Sequence, residues 1–145
     1  MAPRTAPSRR DILTTARAGR ARAAQEAGAG LLPETAELIR RAKYASVRPV
    51  FESDAELAEL LDADRSRASR WKAGKAMDPE RWALLQALET VVGMLREWLE
   101  PSTMRKWLLG TNAHLGDRRP LDVLREGRLS EVVAAIESEQ SGAFA

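Results

Sequence analysis

The apolar residues of this chain recur at helical spacing in short stretches, and proline, glycine or a capping residue interrupts each stretch. In the longest stretch, which begins at Asp78-Pro79-Glu80, one helix face is apolar for about five turns: Trp82, Leu85, Leu88, Val92, Leu95 and Leu99. Helix-forming residues dominate the sequence and β-branched residues are sparse. We therefore predict an all-α fold.

The composition excludes several classes of chemistry. The 145 residues include no cysteine and a single histidine, His114. Thiolate metal sites, disulfides and cysteine nucleophiles are therefore impossible, and no serine lies in a nucleophile-elbow motif. We expect no enzyme activity, no catalytic or metal-binding residues and no cofactor. The apolar runs are shorter than the ~20 residues of a membrane helix, so we expect a soluble, cytoplasmic protein without membrane contact.

Charge is distributed unevenly although the net charge is only +2. Residues 1–50 carry ten basic and four acidic side chains, whereas residues 51–100 carry seven and eleven. We predict a basic, flexible N-terminal arm at residues 1–32, containing a helix from Asp11 to Ala27 with little apolar surface. The arginine-rich start is also compatible with a targeting peptide, but it lacks the apolar core of a secretory signal.

Two helical parts are expected after the arm, at residues 33–100 and 101–145. In the first part, Pro33 opens a helix to about Ala45, with Leu38, Ile39 and Ala42 on one face. In the second part, helices open at Pro101, Pro120 and about Leu129, and Gly110 and Gly127 end the first two of these.

Residues 54–74 carry the signals of two short helices joined by a turn. Ser53 and Glu56 have capping-box spacing, Asp62 lies in the turn, Asp64 can cap the second helix, and Gly74 suits a left-handed residue after its end. Apolar or small residues occupy the contact positions of a helix-turn-helix unit: Leu57, Ala58, Leu61, Ala63, Ala68 and Trp71. Residues 64–74 resemble the recognition helix of the Xre-type repressors. That family usually has glycine where this chain has Asp62, and we expect Asp62 to take the left-handed conformation of the turn, because aspartate tolerates it better than most residues.

We predict that the second of these helices reads DNA. Five bases and no acid lie between Arg65 and Lys75, arginine is the usual reader of guanine, and lysine commonly holds phosphates. The predicted DNA-binding residues are Arg65, Ser66, Arg67, Ser69, Arg70, Lys72 and Lys75. Such units bind paired half-sites, so a homodimer on operator DNA is expected. Six acids between Glu52 and Asp64 would repel phosphates, which leaves open a helix pair that serves only as a scaffold.

The last 42 residues carry a second resemblance. Trp107-Leu108, Asn112, Leu115-Gly116, the Pro120 to Leu124 helix start, Val132-Val133 and the final Gly-Ala-Phe-Ala occur in an order that resembles the MbcA/ParS toxin-binding domain. The resemblance implies that the partner is a RES-type toxin that consumes NAD, and that the C-terminal segment lies over the toxin's NAD pocket with Phe144 as its anchor. The toxin-binding residues that it implies are Trp107, Asn112, Leu115, Ser141, Gly142, Ala143, Phe144 and Ala145.

These patterns together predict a helix-turn-helix unit followed by a small helical toxin-binding domain. The favoured function is the antitoxin of a type II toxin–antitoxin system that inhibits its cognate toxin and represses its own operon. The alternative is a stand-alone helix-turn-helix transcriptional regulator. A neighbouring gene for a RES-type toxin would distinguish the two.

Overall fold

The computed structural model of the protein describes residues 6, 8–28 and 30–143. Within these residues the fold is all-α, as predicted. Its helices are α1 (Arg9–Gly28), α2 (Pro33–Val47), α3 (Asp54–Leu60), α4 (Ala68–Lys72), α5 (Pro79–Leu95), α6 (Pro101–Leu109), α7 (Pro120–Arg125) and α8 (Leu129–Ala143). Short 3-10 turns at Arg48–Val50, Arg65–Arg67 and Ala113–Leu115 precede α3, α4 and α7.

Helix α5 lies at the centre and contacts α1, α2, α7 and α8. It begins as predicted, because the Asp78 side chain accepts a hydrogen bond from the backbone N–H of Arg81. Its core-facing side chains are completely buried, namely Leu85, Leu88, Val91, Val92 and Leu95. The apolar stripe read from the sequence is therefore the face on which the other helices pack.

The predicted end of this helix was wrong. The apolar stripe indicated a helix reaching Glu100, but α5 ends at Leu95 and a turn follows. Pro101 holds Glu100 in an extended conformation, so the chain must leave the helix before that residue. The backbone N–H groups of Trp98 and Leu99 both donate to the carbonyl of Leu95, which closes the turn.

The packed face of α2 also differs from the sequence pattern. Leu38, which the pattern placed on one face with Ile39 and Ala42, is 62% exposed, and Ala42 is exposed too. The buried residues of α2 are Tyr44 and Val47. The helix is therefore rotated so that an aromatic residue and a valine near its end reach the core, while its longest apolar stripe faces outward.

One hydrophobic core runs through the two predicted helical parts. It contains Leu57, Leu61 and Trp71 from residues 33–100, and Met104, Leu108, Leu121 and Ile136 from residues 101–145. The border between the parts coincides with the junction of α5 and α6, but the side chains on either side pack together. None of the helices in the described residues is long and apolar enough to cross a membrane.

The expected helix of the N-terminal arm is present as α1, and it lies along α5. Its described side chains, at positions 9–19, are exposed except for Leu13, which is half-buried. The Arg17 Nε donates a hydrogen bond of 3.2 Å to the carbonyl of Arg125 on α7. The arm therefore makes tertiary contacts, but no described side chain of α1 belongs to the buried core.

We predict that residues 1–30 can be deleted without unfolding the rest of the protein. The described part of α1 contributes no buried side chain, so the melting temperature measured by circular dichroism should fall by less than about 5 °C. Leu121→Ala, which empties a fully buried position, is the control and should cost about 2–5 kcal/mol. A loss of cooperative unfolding after the deletion would instead make α1 part of the core.

Candidate nucleic-acid interface and partner-binding surface

The predicted helix-turn-helix segment consists of α3, a tight turn, the 3-10 turn at Arg65–Arg67, and α4. The Ser53 Oγ accepts from the backbone N–H of Glu56 at 3.0 Å, and the Asp64 carboxylate accepts from that of Ser66 at 2.7 Å. Both predicted caps are thus confirmed. The second half of the capping box is displaced by one residue, because the Glu56 carboxylate accepts from Glu52 instead of Ser53.

The turn between the two helices has the predicted left-handed residue. Asp62 has φ 58°, a conformation that aspartate tolerates better than most residues. Arginines from outside the segment bind the carbonyls around it: Arg81 donates to Leu61 at 3.0 Å and to Asp62 at 2.5 Å, and Arg125 donates to Leu60 at 2.7 Å. Two other helices, α5 and α7, therefore fix the path of the turn.

Gly74 ends the second helix with φ 85°, as predicted. A Cβ atom at this position would lie 2.6 Å from the Glu37 and Arg41 side chains of α2 and 2.7 Å from the Glu37 carbonyl. The Gly74 carbonyl accepts a hydrogen bond of 2.7 Å from the Arg40 Nε. Glycine is thus required for both backbone conformation and close packing, and it joins the end of α4 to α2.

All seven predicted DNA-binding residues are exposed on the surface. Within the described part of the chain, Arg67, Arg70 and Lys75 form no ion pair. Two other bases are paired with acids of α3: Arg65 Nη2 lies 2.8 Å from Glu59 Oε1, and Lys72 Nζ lies 3.6 Å from Asp54 Oδ2. The sequence predicted the basic surface but gave no indication of these two ion pairs.

The acids that made DNA binding questionable are largely neutralised within the protein. Glu56 forms an ion pair with Arg105 of α6, whose Nε lies 3.0 Å from Oε1. Asp54 accepts hydrogen bonds of 2.8 Å from the Tyr44 hydroxyl and from the Arg48 Nε. The repulsion of phosphates expected from the acidic run is therefore reduced, because its central acids point towards bases of the neighbouring helices.

The same contacts change the acidities of these carboxyl groups. The hydrogen bond from Tyr44 lowers the pKa of Asp54, and the one from Arg105 lowers the pKa of Glu56. Burial, followed by the hydrogen bond to Asp54, raises the pKa of Tyr44. Both carboxylates thus stabilise the folded state only while they are ionised.

We predict that acid destabilises the protein through these two carboxylates. The pKa values of both groups are lower in the folded than in the unfolded protein. The stability that they contribute is therefore complete above about pH 5 and is lost as the pH falls through their folded-state pKa values. Glu56→Gln should lower the free energy of unfolding by about 1–2 kcal/mol at neutral pH and reduce its decline in acid. Urea unfolding between about pH 7 and pH 3 measures both effects. The control Glu97→Gln changes an exposed carboxylate, and equal pH slopes for all three proteins would contradict the prediction.

The predicted partner-binding residues of the C-terminal part do not share one environment. Asn112 and Leu115 are buried, and Asn112 holds the loop between α6 and α7 together. Its side chain accepts from the backbone N–H of His114, and its backbone carbonyl accepts from those of Leu115 and Asp117. Gly116 follows with φ 65°. These residues shape the loop and are not exposed contacts.

Glu139 on α8 connects this loop with Trp107, and the sequence analysis missed it. One carboxylate oxygen accepts from the Trp107 indole N–H at 2.9 Å, and the other accepts from the Asn112 side-chain amide at 2.6 Å. A signal was available, because Glu139 continues the inward face of Val132 and Ile136 on α8, where an acid needs partners. Glu139 therefore places the half-buried Trp107 beside the last turns of α8.

The predicted tail is partly helical. Ser141, Gly142 and Ala143 form the last turn of α8, and the Ser141 hydroxyl donates to the carbonyl of Glu137. Ser141 and Gly142 are exposed. Phe144 and Ala145, which were also predicted to bind the toxin, lie outside the described residues. Among the described residues, no cluster of three or more histidine or acidic side chains is arranged to hold a metal ion.

Comparison with curated proteins finds antitoxins. The chain is 30% identical over 91 residues to the mycobacterial cidal antitoxin MbcA of Mycobacterium bovis, a match that spans 61% of this chain and 80% of that protein. MbcA of Mycobacterium tuberculosis matches to the same extent. A second M. tuberculosis protein, named "Probable mycobacterial cidal antitoxin", is 28% identical over 99 residues and is matched over 85% of its length. No family model matches the chain.

A solved structure shares the fold. A chain in the crystal structure of the M. tuberculosis MbcT–MbcA toxin–antitoxin complex superposes with a TM-score of 0.61 at 23% sequence identity. The superposition covers 74% of this chain and 97% of that chain. The helical arrangement described above is therefore one that an experimental structure also contains.

Proposed function

The chain belongs to the family of MbcA-like antitoxins, and from this membership we propose that it binds and inhibits a cognate toxin and represses its own operon. The observation that carries the proposal is a match over 80% of the length of MbcA. The basic surface of α4 supports the second activity. An enzyme is disfavoured, because the relatives that the chain matches are named antitoxins.

The toxin-binding surface is proposed to lie where α6 and α8 meet. Glu139 fixes Trp107 next to the last turns of α8, and Ser141 and Gly142 extend the exposed surface beyond it. Asn112 and Leu115 contribute by holding the loop that supports this surface. The arrangement offers a rigid platform of two helix ends, from which residues 141–145 can reach a concave site on the partner.

We propose a RES-type, NAD-consuming toxin as the partner, because the order of residues 104–145 resembles the MbcA/ParS domain. A segment entering the NAD pocket would block catalysis without distorting the enzyme. Burial of the Phe144 ring would contribute about 1.5–3 kcal/mol to binding. The larger surface of α6 and α8 would supply the remaining affinity.

DNA binding is proposed to use the exposed bases of the α4 region. Arg67 and Arg70 have no competing acid in the described residues, so they are free to contact bases or phosphates. Arg65 must first leave Glu59, an exposed ion pair that DNA phosphates can replace at small cost. A homodimer would present two such surfaces to paired half-sites.

We predict different effects of three variants on binding to the protein's own promoter. Arg65→Ala combined with Arg67→Ala should weaken binding about 10–100-fold and relax the sequence preference. Lys75→Ala should weaken binding to all sequences and lower the salt slope by about 0.9. Glu59→Gln should strengthen binding, because it frees Arg65 from its ion pair. Fluorescence anisotropy over a range of salt concentrations measures all three.

A matched control for these variants is Glu97→Gln, which removes one exposed negative charge outside the segment. If Glu97→Gln strengthened binding as much as Glu59→Gln, the effect would be due to net charge and not to Arg65. Absence of promoter binding at low salt, with and without toxin, would eliminate the repressor activity.

We predict that deleting residues 141–145 impairs toxin inhibition but retains part of the toxin binding. The deletion removes the segment proposed to enter the pocket, while Trp107 and the exposed faces of α6 and α8 remain. Phe144→Ala should give a milder defect. Co-expression with the neighbouring toxin, followed by growth and cellular NAD, measures inhibition, and co-purification measures binding.

The variant Arg67→Ala is the control for this experiment, because it changes the proposed DNA surface and should leave protection intact. Full protection by the protein without residues 141–145 would place inhibition on the helices before the tail. No protection by the unaltered protein, combined with promoter binding, would favour the stand-alone regulator.

A further inference from the structure

A cavity of about 360 Å³ lies among α1, the turn after α3, α5, α7 and the start of α8. Cavities that bind small molecules typically measure about 300–1,000 Å³. Among the described residues, no predicted DNA-binding or toxin-binding residue lines this cavity. It is therefore separate from both surfaces of the proposed function, and an inference about it goes beyond that function.

Much of the cavity wall is apolar. Helix α5 contributes Ala83, Leu84 and Ala87, and Leu124 of α7 and Leu129 of α8 complete this part of the wall. The two alanines are four residues apart and so lie on the same face of α5. Their small side chains leave space that larger ones would fill. The wall therefore offers contacts to a hydrocarbon or aromatic group.

The charged side chains that line the cavity are three guanidinium groups and two carboxylates, namely Arg17, Arg81, Arg125, Asp62 and Glu80. Arg81 and Arg125 are bound to carbonyls of the turn and to nearby acids. The Asp62 carboxylate lies 3.6 Å from the Arg125 Nη2. The polar groups around the turn thus largely satisfy one another.

Arg17 of α1 is the cation at the cavity that remains available. Its Nε donates to the carbonyl of Arg125, but its two Nη atoms have no hydrogen-bond partner and no ion pair in the part of the chain that the structure describes. A guanidinium group binds a carboxylate through two parallel hydrogen bonds when two of its nitrogens are accessible. Arg17 is exposed, so an anion can reach it from solvent.

We propose that this cavity binds a small amphipathic anion, that is, an organic acid with an apolar chain or ring. The apolar part would lie against the wall formed by Ala83, Leu84 and Ala87, and the acid group would pair with Arg17. Burial of the apolar part supplies most of the affinity. The ion pair determines which end of the ligand faces the solvent.

A ligand in this position would also fasten α1 to the rest of the protein. Helix α1 lies along α5, yet its described side chains at positions 9–19 are exposed except for the half-buried Leu13. A ligand that contacts both Arg17 and α5 adds an interaction between the two helices. Amide hydrogens of α1 should therefore exchange more slowly when the cavity is occupied.

Isothermal titration calorimetry of the full chain with decanoate tests the proposal. Decanoate combines a hydrocarbon chain with a carboxylate and should bind at one saturable site per chain, below the concentration at which it forms micelles. Octanoate, which is two methylene groups shorter, should bind about tenfold more weakly. Decanol should bind about three- to tenfold more weakly than decanoate, and decylamine more weakly still, because neither can accept the ion pair from Arg17.

Two pairs of variants locate the site. Ala83→Phe fills the cavity and should weaken decanoate binding at least about tenfold, while Ala45→Phe, at an exposed position of α2, should not change it. Arg17→Gln should weaken binding about three- to tenfold, while Arg10→Gln, which removes an exposed arginine of α1 outside the cavity, should leave it unchanged. Circular dichroism checks that each variant melts like the unaltered protein.

Hydrogen exchange locates the ligand without any substitution. Saturating decanoate should slow exchange at residues 9–19 and 80–90 more than in α4, which does not line the cavity. Protection elsewhere, or decanoate binding that Ala83→Phe leaves intact, would overturn the proposed site. Equal binding of decanol or decylamine would overturn the anionic ligand, and the absence of saturable binding would overturn the proposal as a whole. Toxin inhibition and promoter binding test the proposed function separately, since neither requires this cavity.

Discussion

The arginines that bind the carboxyl end of α3 hold the predicted helix-turn-helix segment in place. Helix α3 has only seven residues, which is too few for a stable isolated helix, and its last carbonyls have no partners within the helix. Arg81 of α5 and Arg125 of α7 donate to three consecutive carbonyls there, at Leu60, Leu61 and Asp62. Positive charge is also favourable at this end of a helix. The direction in which the chain enters α4 thus depends on side chains up to 65 residues away in the sequence.

The same contacts make the two proposed binding surfaces parts of one body. Arg125 belongs to the C-terminal part, and so does Arg105, which pairs with Glu56 of α3. The core also continues across the junction of α5 and α6. A partner that shifts α6 or α7 would therefore act on the turn before α4, and coupling between two sites needs such a physical connection. DNA binding and toxin binding are proposed to use different residues. This division does not require that the two helical parts fold independently.

Local signals in the sequence were sufficient for the helix starts and turns, while contacts across the fold were not accessible. The caps at Ser53, Asp64 and Asp78 and the left-handed residues at Asp62 and Gly74 follow from backbone chemistry within three or four residues, and all are present. The rotation of α2 depends instead on which side chains α5 can accommodate. The pairing of Arg65 with Glu59 depends on the angle between α3 and α4. Neither the rotation of α2 nor the angle between α3 and α4 is determined by a short stretch of sequence.

Two failures of the sequence reasoning have a common physical meaning. Leu38 is an apolar residue on an outward face, and Glu139 is an acid on an inward face. Each opposes the general pattern of burial, and sequences usually keep such exceptions where a function requires them. Glu139 is satisfied within the chain, by Trp107 and Asn112, so its position is explained by the surface that it builds. Leu38 is not among the residues packed against the core. Its exposure follows from the rotation of α2, which turns Tyr44 and Val47 into the core instead.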